Sequence, residues 1–437
     1  MLRWKGKGGD HGGHGTGRRG YAPTMKKRVL HGWLSGGVVA TVVLSHGVAQ
    51  EPVAEPTDAP APRAGQPPLP FDVRRGYEVT PAAWQIKGPR MMAFGEDGTL
   101  FVSVPRPGEI LALRDTDGDG VYDARSTFAR EIPSVHAMSW HKGWLYFATT
   151  GAVFKTRDVD GNGAGDERLD VIAPGNLPQG GVHWWRSLLV TDDHIFTSIG
   201  DSGNITDEGE TPRQKIWRFD LDGSNRTLFA SGVRNTEELL IRPGTNELWG
   251  VDHGSDNFGQ SLGEQTGTKQ PVTDWNPPDE FNRYVEGGFY GHPFITGYAL
   301  PRYEFRQRRD LMDLAEKNVP PEWAFPAHGA ANAFCFIDPA LNAKTGAFPP
   351  DHAGDAFVAL RGSWNRVEKA GYEVVRVLFD PQTGKPYGML RIVSTLSKEG
   401  DVLARPVDCV QAPDGTVLFS CDHSNAIFRV RWVGDER

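Results

Sequence analysis

The chain has 437 residues, including 53 Gly, 32 Pro and 45 aromatics (Trp 13, Tyr 10, Phe 22), with only three Cys and a formal charge of −8. Such a composition describes many short strands between turns and excludes a helical bundle or coiled coil. The acidic balance argues against a nucleic-acid surface, which wants a basic stripe, and three Cys exclude a disulfide framework or a cysteine-rich zinc array.

Residues 1–24 are basic and Gly/His-rich, with too few apolar side chains for a core, and read as disordered or as translated upstream sequence. Met25 is followed by Lys26, Lys27 and Arg28, a mostly apolar stretch from Trp33 to Leu44, and a small-residue end at 45–50. A charged region, a short apolar run and a small-residue end predict a secretory signal over 25–50; the alternative is an uncleaved anchor, for which the run is short. Residues 51–70 form a Pro/Ala-rich tether, stiff and extended. The expectation is a periplasmic or secreted protein. Residues 1–50 carry eight Lys/Arg and one Asp, so the exported remainder carries about −15. That charge keeps it soluble and disfavours anionic lipid.

A unit then recurs along 71–437: a turn pair leading into alternating apolar residues. Its copies are Asp97-Gly-Thr-Leu-Phe-Val-Ser, Lys142-Gly-Trp-Leu-Tyr-Phe-Ala, Asp192-Asp-His-Ile-Phe-Thr-Ser, Thr245-Asn-Glu-Leu-Trp-Gly-Val, Gly354-Asp-Ala-Phe-Val-Ala-Leu and Asp414-Gly-Thr-Val-Leu-Phe-Ser. The intervals are 45, 50, 53, 109 and 60 residues, and the 367 residues after leader and tether amount to about 61 per copy. That length suits a four-stranded blade, and one blade cannot bury its own faces, so the reading is an all-β, six-bladed β-propeller with antiparallel blades. The alternative is a set of unrelated hairpins in a two-sheet sandwich. The long interval contains an insertion, roughly 256–328, and long loops on a rigid scaffold are where sites are built.

Two acidic turns, Asp115-Thr-Asp117-Gly-Asp119-Gly120 and Asp158-Val-Asp160-Gly-Asn162-Gly163, resemble the first half of a calcium loop, but position twelve holds Ser126 and Leu169, so a regular EF-hand is not expected. The open readings are a calcium-loaded turn and a solvated Asp/Gly hairpin. Cys409 and Cys421 flank the last hairpin turn, and either a disulfide, leaving Cys335 free, or two buried thiols is compatible with their spacing.

Chemistry concentrates in the middle of the chain. His183 precedes one blade strand and Asp201 follows it, so adjacent loops bring both to one face, where an imidazole oriented by a carboxylate makes a general base; ordinary packing of His183 against Trp184 is the alternative. Arg234 beside Asn235 offers a planar cation and an amide to an anionic, carbonyl-rich ligand, or forms a surface ion pair. The Gly-rich turns around 250–256 and 278–293 gather backbone carbonyls and carboxylates, the oxygen chemistry that calcium takes, or are simple turns.

His183-Trp-x-Arg186, Arg234-Asn235, Asp252-x-Gly254, Pro278-Asp-Glu-x-Asn282 with Tyr290-Gly-x-Pro293, Gly362-Ser-Trp-Asn-Arg366 and Ala404-Arg405-Pro406-Val407 occur in this order. Together, over about 75–435, they resemble the glucose/sorbosone dehydrogenase family, nearest its sorbosone dehydrogenase branch. The resemblance implies a six-bladed periplasmic enzyme that uses pyrroloquinoline quinone (PQQ) and calcium to oxidise a sugar or related alcohol or aldehyde, as a monomer or homodimer, and passes electrons to an unidentified acceptor. It implies His183 as the base, oriented by Asp201, and Arg234, Asn235, Arg366 and Arg405 as residues that hold or flank the cofactor. The carbonyls of Gly254 and Ser255 would bind the catalytic calcium, and Glu280 with the carbonyl of Tyr290 a structural one. The division of labour is physically coherent, since the cofactor carries the redox chemistry and the protein supplies base, cations and a Lewis acid. The chain departs from the family at His328-Gly-Ala-Ala-Asn332-Ala and at Glu237-Glu238, where two acids beside an anionic cofactor must be paired or turned away. The other functions considered are a calcium-dependent lactonase on a similar propeller, which needs no cofactor cations, and a propeller that only binds a partner or glycan.

Overall fold

The computed structural model describes residues 65–67, 69–265 and 267–434; the leader at 25–50 and most of the tether lie outside the described residues. Each of the six repeat turns joins the first and second strands of a four-stranded antiparallel blade, to which short fifth strands are added at the outer edges of the third (Gly288–Phe289, parallel) and fifth (Asp72–Val73). Blade 1 is Met92–Phe94, Leu100–Val104, Glu109–Arg114 and Ala124–Ala129. Blades 2 to 5 begin with Met138–His141, Leu189–Val190, Thr236–Ile241 and Ala331–Phe336 and end with Glu167–Ile172, Thr227–Ser231, Trp323–Phe325 and Pro386–Ser394. Blade 6 takes Pro406–Gln411, Val417–Cys421 and Ala426–Trp432 from the C-terminal part and its outer strand, Tyr77–Trp84, from the N-terminal part. The fold is the six-bladed β-propeller that the repeat implies.

Local chemistry accounts for the hairpins. His141 pairs with Trp144 across Lys142 (φ 47) and Gly143 (φ 78), a two-residue turn whose two positive φ values match the twist of its strands. The apolar positions then meet between blades. Phe101, Phe128, Leu145 and Phe147 fill the space between blades 1 and 2, and Trp249, Phe281, Phe334 and Phe336 that between blades 4 and 5; similar clusters occupy the other four gaps. Each fully buried large side chain contributes roughly 1.5–3 kcal/mol relative to exposure, so the ring is held by its joints.

The ring closes where Tyr77–Trp84 pairs with Ala426–Trp432, from Tyr77 opposite Trp432 to Trp84 opposite Ala426. A buried polar cluster reinforces this joint: the Tyr77 hydroxyl donates to His352 Nε2 (2.6 Å), which also accepts from Arg376 (3.0 Å), while Nδ1 donates to Asp351 (2.9 Å).

Three details differ from the sequence reading. Within 256–328, Asp279–Tyr284 and Trp323–Phe325 are the third and fourth strands of blade 4, so the added chain is two connections, 253–278 and 285–322. All three cysteines are buried free thiols. Cys409 lies opposite Phe419 and Cys421 opposite Pro406, so the hairpin register does not face them. The acidic turns join the third and fourth strands of blades 1 and 2, at the end of the propeller opposite its inter-blade connections. Asp115 there accepts from the N–H groups of Gly118 and Gly120 (both 2.8 Å), and Asp158 from Gly161 and Gly163 (2.7 and 2.8 Å).

Glu238 and Asp408, on the innermost strands of blades 4 and 6, are pushed up by burial, and Glu238 also by the charge of Asp408. Asp408 Oδ2 accepts from Met92 N (2.7 Å), tying blade 6 to blade 1. A raised carboxyl contributes stability that is fully present below the unfolded value, about 4, and is lost as pH rises through the folded value. Asp408→Asn keeps the acceptor and removes the titration. Urea unfolding should show the variant gaining on the parent between pH 5 and about pH 8 and levelling off above that; a difference that ignores pH would contradict this account.

Candidate functional site

The connections between second and third strands, and those between blades, gather at one end of the propeller. They enclose a cavity of about 530 Å³ lined by Arg90, Arg106, Trp184, Trp185, Glu237, His253, Asn332, Arg361, Trp364, Arg405 and Asp422, among others. Nearly every blade or blade junction contributes to it, so the wall is assembled from residues far apart in sequence.

Arg90, from the connection between blades 6 and 1, is the hub. Its guanidinium donates to Glu237 Oε2 (3.0 Å) and Asp422 Oδ2 (3.1 Å) and lies 4.7 Å from the centroid of Trp185. Trp185 in turn stacks between His136 (4.3 Å) and Trp184 (3.7 Å). Asp422 also accepts from Arg361 (2.9 Å), and Arg405 donates to the Gly362 carbonyl (2.8 Å). Glu237 further accepts from Asn332 (3.0 Å) and Asn235 (3.1 Å). Burial opposes its ionisation, but the Arg90 charge, neighbouring imidazoles and these hydrogen bonds hold it at about 2. The two acids of 237–238 therefore part ways: Glu237 faces the cavity with a cation already on it, whereas Glu238 lies against Asp408.

A second space of about 130 Å³ shares His253, Ala330 and Trp364 with the first and adds His183, Arg234, Asp256 and Asn365. His183 sits in the loop between blades 2 and 3. Its Nδ1 lies 2.9 Å from the backbone carbonyl of Asp201 and must donate to it, which leaves Nε2 as a lone pair. Burial first, and then the Arg234 charge, push this imidazole down to about 3. Gly200, just ahead of Asp201, has no room for a side chain: a Cβ there would sit 2.6 Å from the Arg234 carbonyl and 2.9 Å from His183 Cβ.

The Asp201 carboxylate does not orient His183, contrary to the sequence expectation. It accepts from His292 Nε2 (2.7 Å), Gln214 (3.1 Å) and the N–H groups of Gly203 and Thr206 (2.6 and 2.9 Å). Burial opposes its charge, but the His292 hydrogen bond and these donors hold it well below the usual carboxylate range. Asp201 acts on His183 through its main chain, and its side chain braces the blade 4 insertion.

The remaining expected residues divide. Arg405 lines the large cavity. Arg366 does not: it donates to the carbonyls of Ala327 (3.0 Å) and Glu368 (2.8 Å) and lies 5.5 Å from the ring centroid of the exposed Trp275. Arg234 is buried and bonded to Asn204 (2.8 Å) and Asp256 (3.0 Å). Asn235 works behind the wall, donating to both Glu237 and His253 Nδ1 (3.0 Å). Gly254, Ser255, Glu280 and Tyr290 meet around a small space with Asp252 and Arg302. Burial first and then Asp252 push Glu280 up to about 8, and Asn282 Oδ1 is buried without a hydrogen-bond partner. A carboxyl short of positive charge beside an orphaned amide oxygen is a donor set that suits a calcium ion.

Sequence reasoning missed Arg90, Arg361, Asp422 and Trp185, and named Asn332 and Trp184 without giving them a place in the cavity wall. The signal available was Glu237 itself, because an acid next to Arg234-Asn235 demands a cation from elsewhere.

The family model described as TrAA12-like matches residues 71–432, and the chain belongs to that family. An uncharacterized protein of Borreliella burgdorferi is 25% identical over 366 residues, covering 79% of this chain and 86% of that protein. Among solved structures, the calcium structure of the Trichoderma reesei Carbohydrate-Active Enzymes Family AA12 protein is similar at 19% identity and TM-score 0.69, covering 85% of this chain and 98% of that one. The holo form of the pyranose dehydrogenase PQQ domain from Coprinopsis cinerea is similar at 17% identity and TM-score 0.69, covering 85% and 99%. These structural likenesses are likenesses of fold.

Removing one partner of a buried pair leaves the other uncompensated, at a cost of about 3–5 kcal/mol. Arg90→Met should lower unfolding stability by that order, and Glu237→Gln added to it should restore most of the loss. Additive losses in the double variant would show that the pair is not coupled.

Proposed function

We propose that the protein is an exported PQQ- and calcium-dependent oxidoreductase that oxidises a sugar or related alcohol or aldehyde. The observation that carries this reading is the large cavity: four arginines against two carboxylates, beside a Trp wall, with a neutral imidazole in the adjoining space. PQQ is planar and carries three carboxylates, so Arg106, Arg361 and Arg405 suit its charge and Trp184 and Trp185 its ring. A lactonase has no use for such a set of cations. The family, and the PQQ and calcium in the names of the two similar structures, support the same reading.

When bound, PQQ supplies the two-electron acceptor. His183 takes the hydroxyl proton of the substrate on Nε2, since Asp201's carbonyl holds the proton on Nδ1. Burial first, and then the Arg234 charge beside it, keep the imidazole neutral before the reaction. The carbonyls of Gly254 and Ser255 are the proposed ligands of the catalytic calcium; Glu280, Asn282 and the Tyr290 carbonyl are those of a stabilising one. A sorbosone-type aldehyde remains within the proposed donor range. Export through the 25–50 leader belongs to the same reading.

Adding PQQ and calcium to the purified protein should produce a cofactor absorption band and dye reduction that depends on added sugar; neither signal with any sugar would sink the proposal. His183→Ala should keep the band and lose turnover by ~10²-fold or more. Glu280→Gln should lose most of the rise in melting temperature that calcium gives the parent protein, and an undiminished rise would place the stabilising ion elsewhere.

A further inference from the structure

Trp184 borders two spaces. On one side is the arginine-lined cavity; on the other is a groove of about 530 Å³ formed by the connections that lead into and out of blade 2 and by the turn between its second and third strands. The groove is lined by Ser134, Thr149, Thr150, Gln179 and Gly181 as well as Trp184. No charged side chain among the described residues lines it, in sharp contrast to the neighbouring cavity. An anionic quinone has nothing to hold it there. The polar groups are hydroxyls and one amide, each able both to donate and to accept, as the hydroxyls of a neutral sugar require.

Two of those groups are available, while the Thr149 hydroxyl donates to the Ala152 carbonyl (3.4 Å). The Thr150 hydroxyl and the Gln179 amide make no hydrogen bond to any described residue, and Gln179 is exposed. Ser134 accepts from Thr150 N (3.2 Å) and has its backbone in the left-handed region (φ 63), a conformation that a non-glycine residue adopts at a cost. The edge shared with the catalytic loop is firmly placed. Val182 N donates to the Ser202 carbonyl (2.9 Å), and a Cβ on Gly181 would lie 2.8 Å from Ser202 Cα. Trp184 is braced by its stack on Trp185 at 3.7 Å. Trp184 belongs to both the groove and the arginine-lined cavity, and that cavity adjoins the space holding His183 through His253, Ala330 and Trp364, so a ligand crossing Trp184 has a route to the proposed base.

An aromatic wall with a few neutral polar groups is the construction of a site for a polyhydroxylated, uncharged ligand. We propose that this groove is a saccharide subsite, and that the substrate is the end of a neutral oligosaccharide: its terminal ring reaches His183 while the next rings cross Trp184 toward Thr150 and Gln179. This rests on the sugar-oxidising reading above and specifies its substrate class.

Calorimetry with glucose, maltotriose and cellotriose, on the protein with and without PQQ and calcium, tests it. At least one trisaccharide should bind about tenfold or more tighter than glucose, and Gln179→Ala and Thr150→Trp should each remove most of that gain. Equal affinity for all three sugars, or a gain that both variants keep, would overturn the proposal. Gln179 is at the surface, so its variant retains the fold should Thr150→Trp disturb the loop. Because binding heat requires neither quinone nor dye, the two readings fail separately: a chain-length gain without sugar-dependent dye reduction upholds the groove and overturns the redox reading, and dye reduction without a gain does the reverse.

Discussion

Everything in this molecule depends on closing the ring. A single blade has two apolar faces and buries neither alone, so blades 1 and 6 would each present an uncovered joint if Tyr77–Trp84 did not complete the last sheet. Closure across more than 340 residues of sequence is an expensive contact in chain entropy. It is offset by the ladder to Ala426–Trp432, by the apolar clusters on both sides of blade 6, and by the Tyr77–His352–Arg376 network. Once the ring is closed, inter-blade connections from all six blades are forced to one end, and a cavity there is a geometric consequence.

The same closure crowds the innermost strands, and charge placed there has two ways to exist. Adjacent residues of one strand show both. Glu237 remains ionised because Arg90 and two amides reach it, which stabilises the charged form more than burial penalises it. Glu238, buried and facing Asp408, is pushed toward its neutral form. The departure from the family pattern at 237–238 is thus accommodated by pairing at one position and protonation at the next. Arg90 is partly spent in doing so and Arg361 is shared with Asp422, so Arg106 and Arg405 are the cavity arginines with no carboxylate partner among the described residues.

The blade count was legible in the sequence because each repeat turn is local chemistry: two turn residues followed by a period-two strand form the same hairpin wherever they stand. The location of His183, Arg234, Gly254 and Glu280 near one end was legible for a related reason, since residues that flank strands fall into loops whose end of the propeller is set by strand direction. Side-chain aim was not. The family resemblance favours Arg405 over Arg366 for touching the cofactor but gives no physical reason; in the structure the loop carrying Arg366 is tied to Asp274 through Val367 N (3.1 Å), and Arg366 donates to the Ala327 and Glu368 carbonyls. His292, 91 residues from Asp201, takes that carboxylate, and Arg90, 147 residues from Glu237, neutralises it. Nothing near either residue in sequence announces such partners.

The exchange at Asp201 bears on the chemistry proposed for His183. A carboxylate on Nδ1 would fix the tautomer and also stabilise the imidazolium, raising the basicity of the ring. A backbone carbonyl fixes the tautomer with only a partial charge, so burial and Arg234 prevail and the ring stays neutral. The proton acceptor is therefore always ready but intrinsically weak. For an alcohol whose carbon gives up a hydride as its hydroxyl gives up a proton, leaving a carbonyl, a weak base would suffice provided the electron acceptor is strong and the two departures are concerted. The demand shifts from the imidazole to whatever fills the arginine-lined cavity, where the positive wall and the paired Glu237 set the electrostatic field in which that acceptor would work.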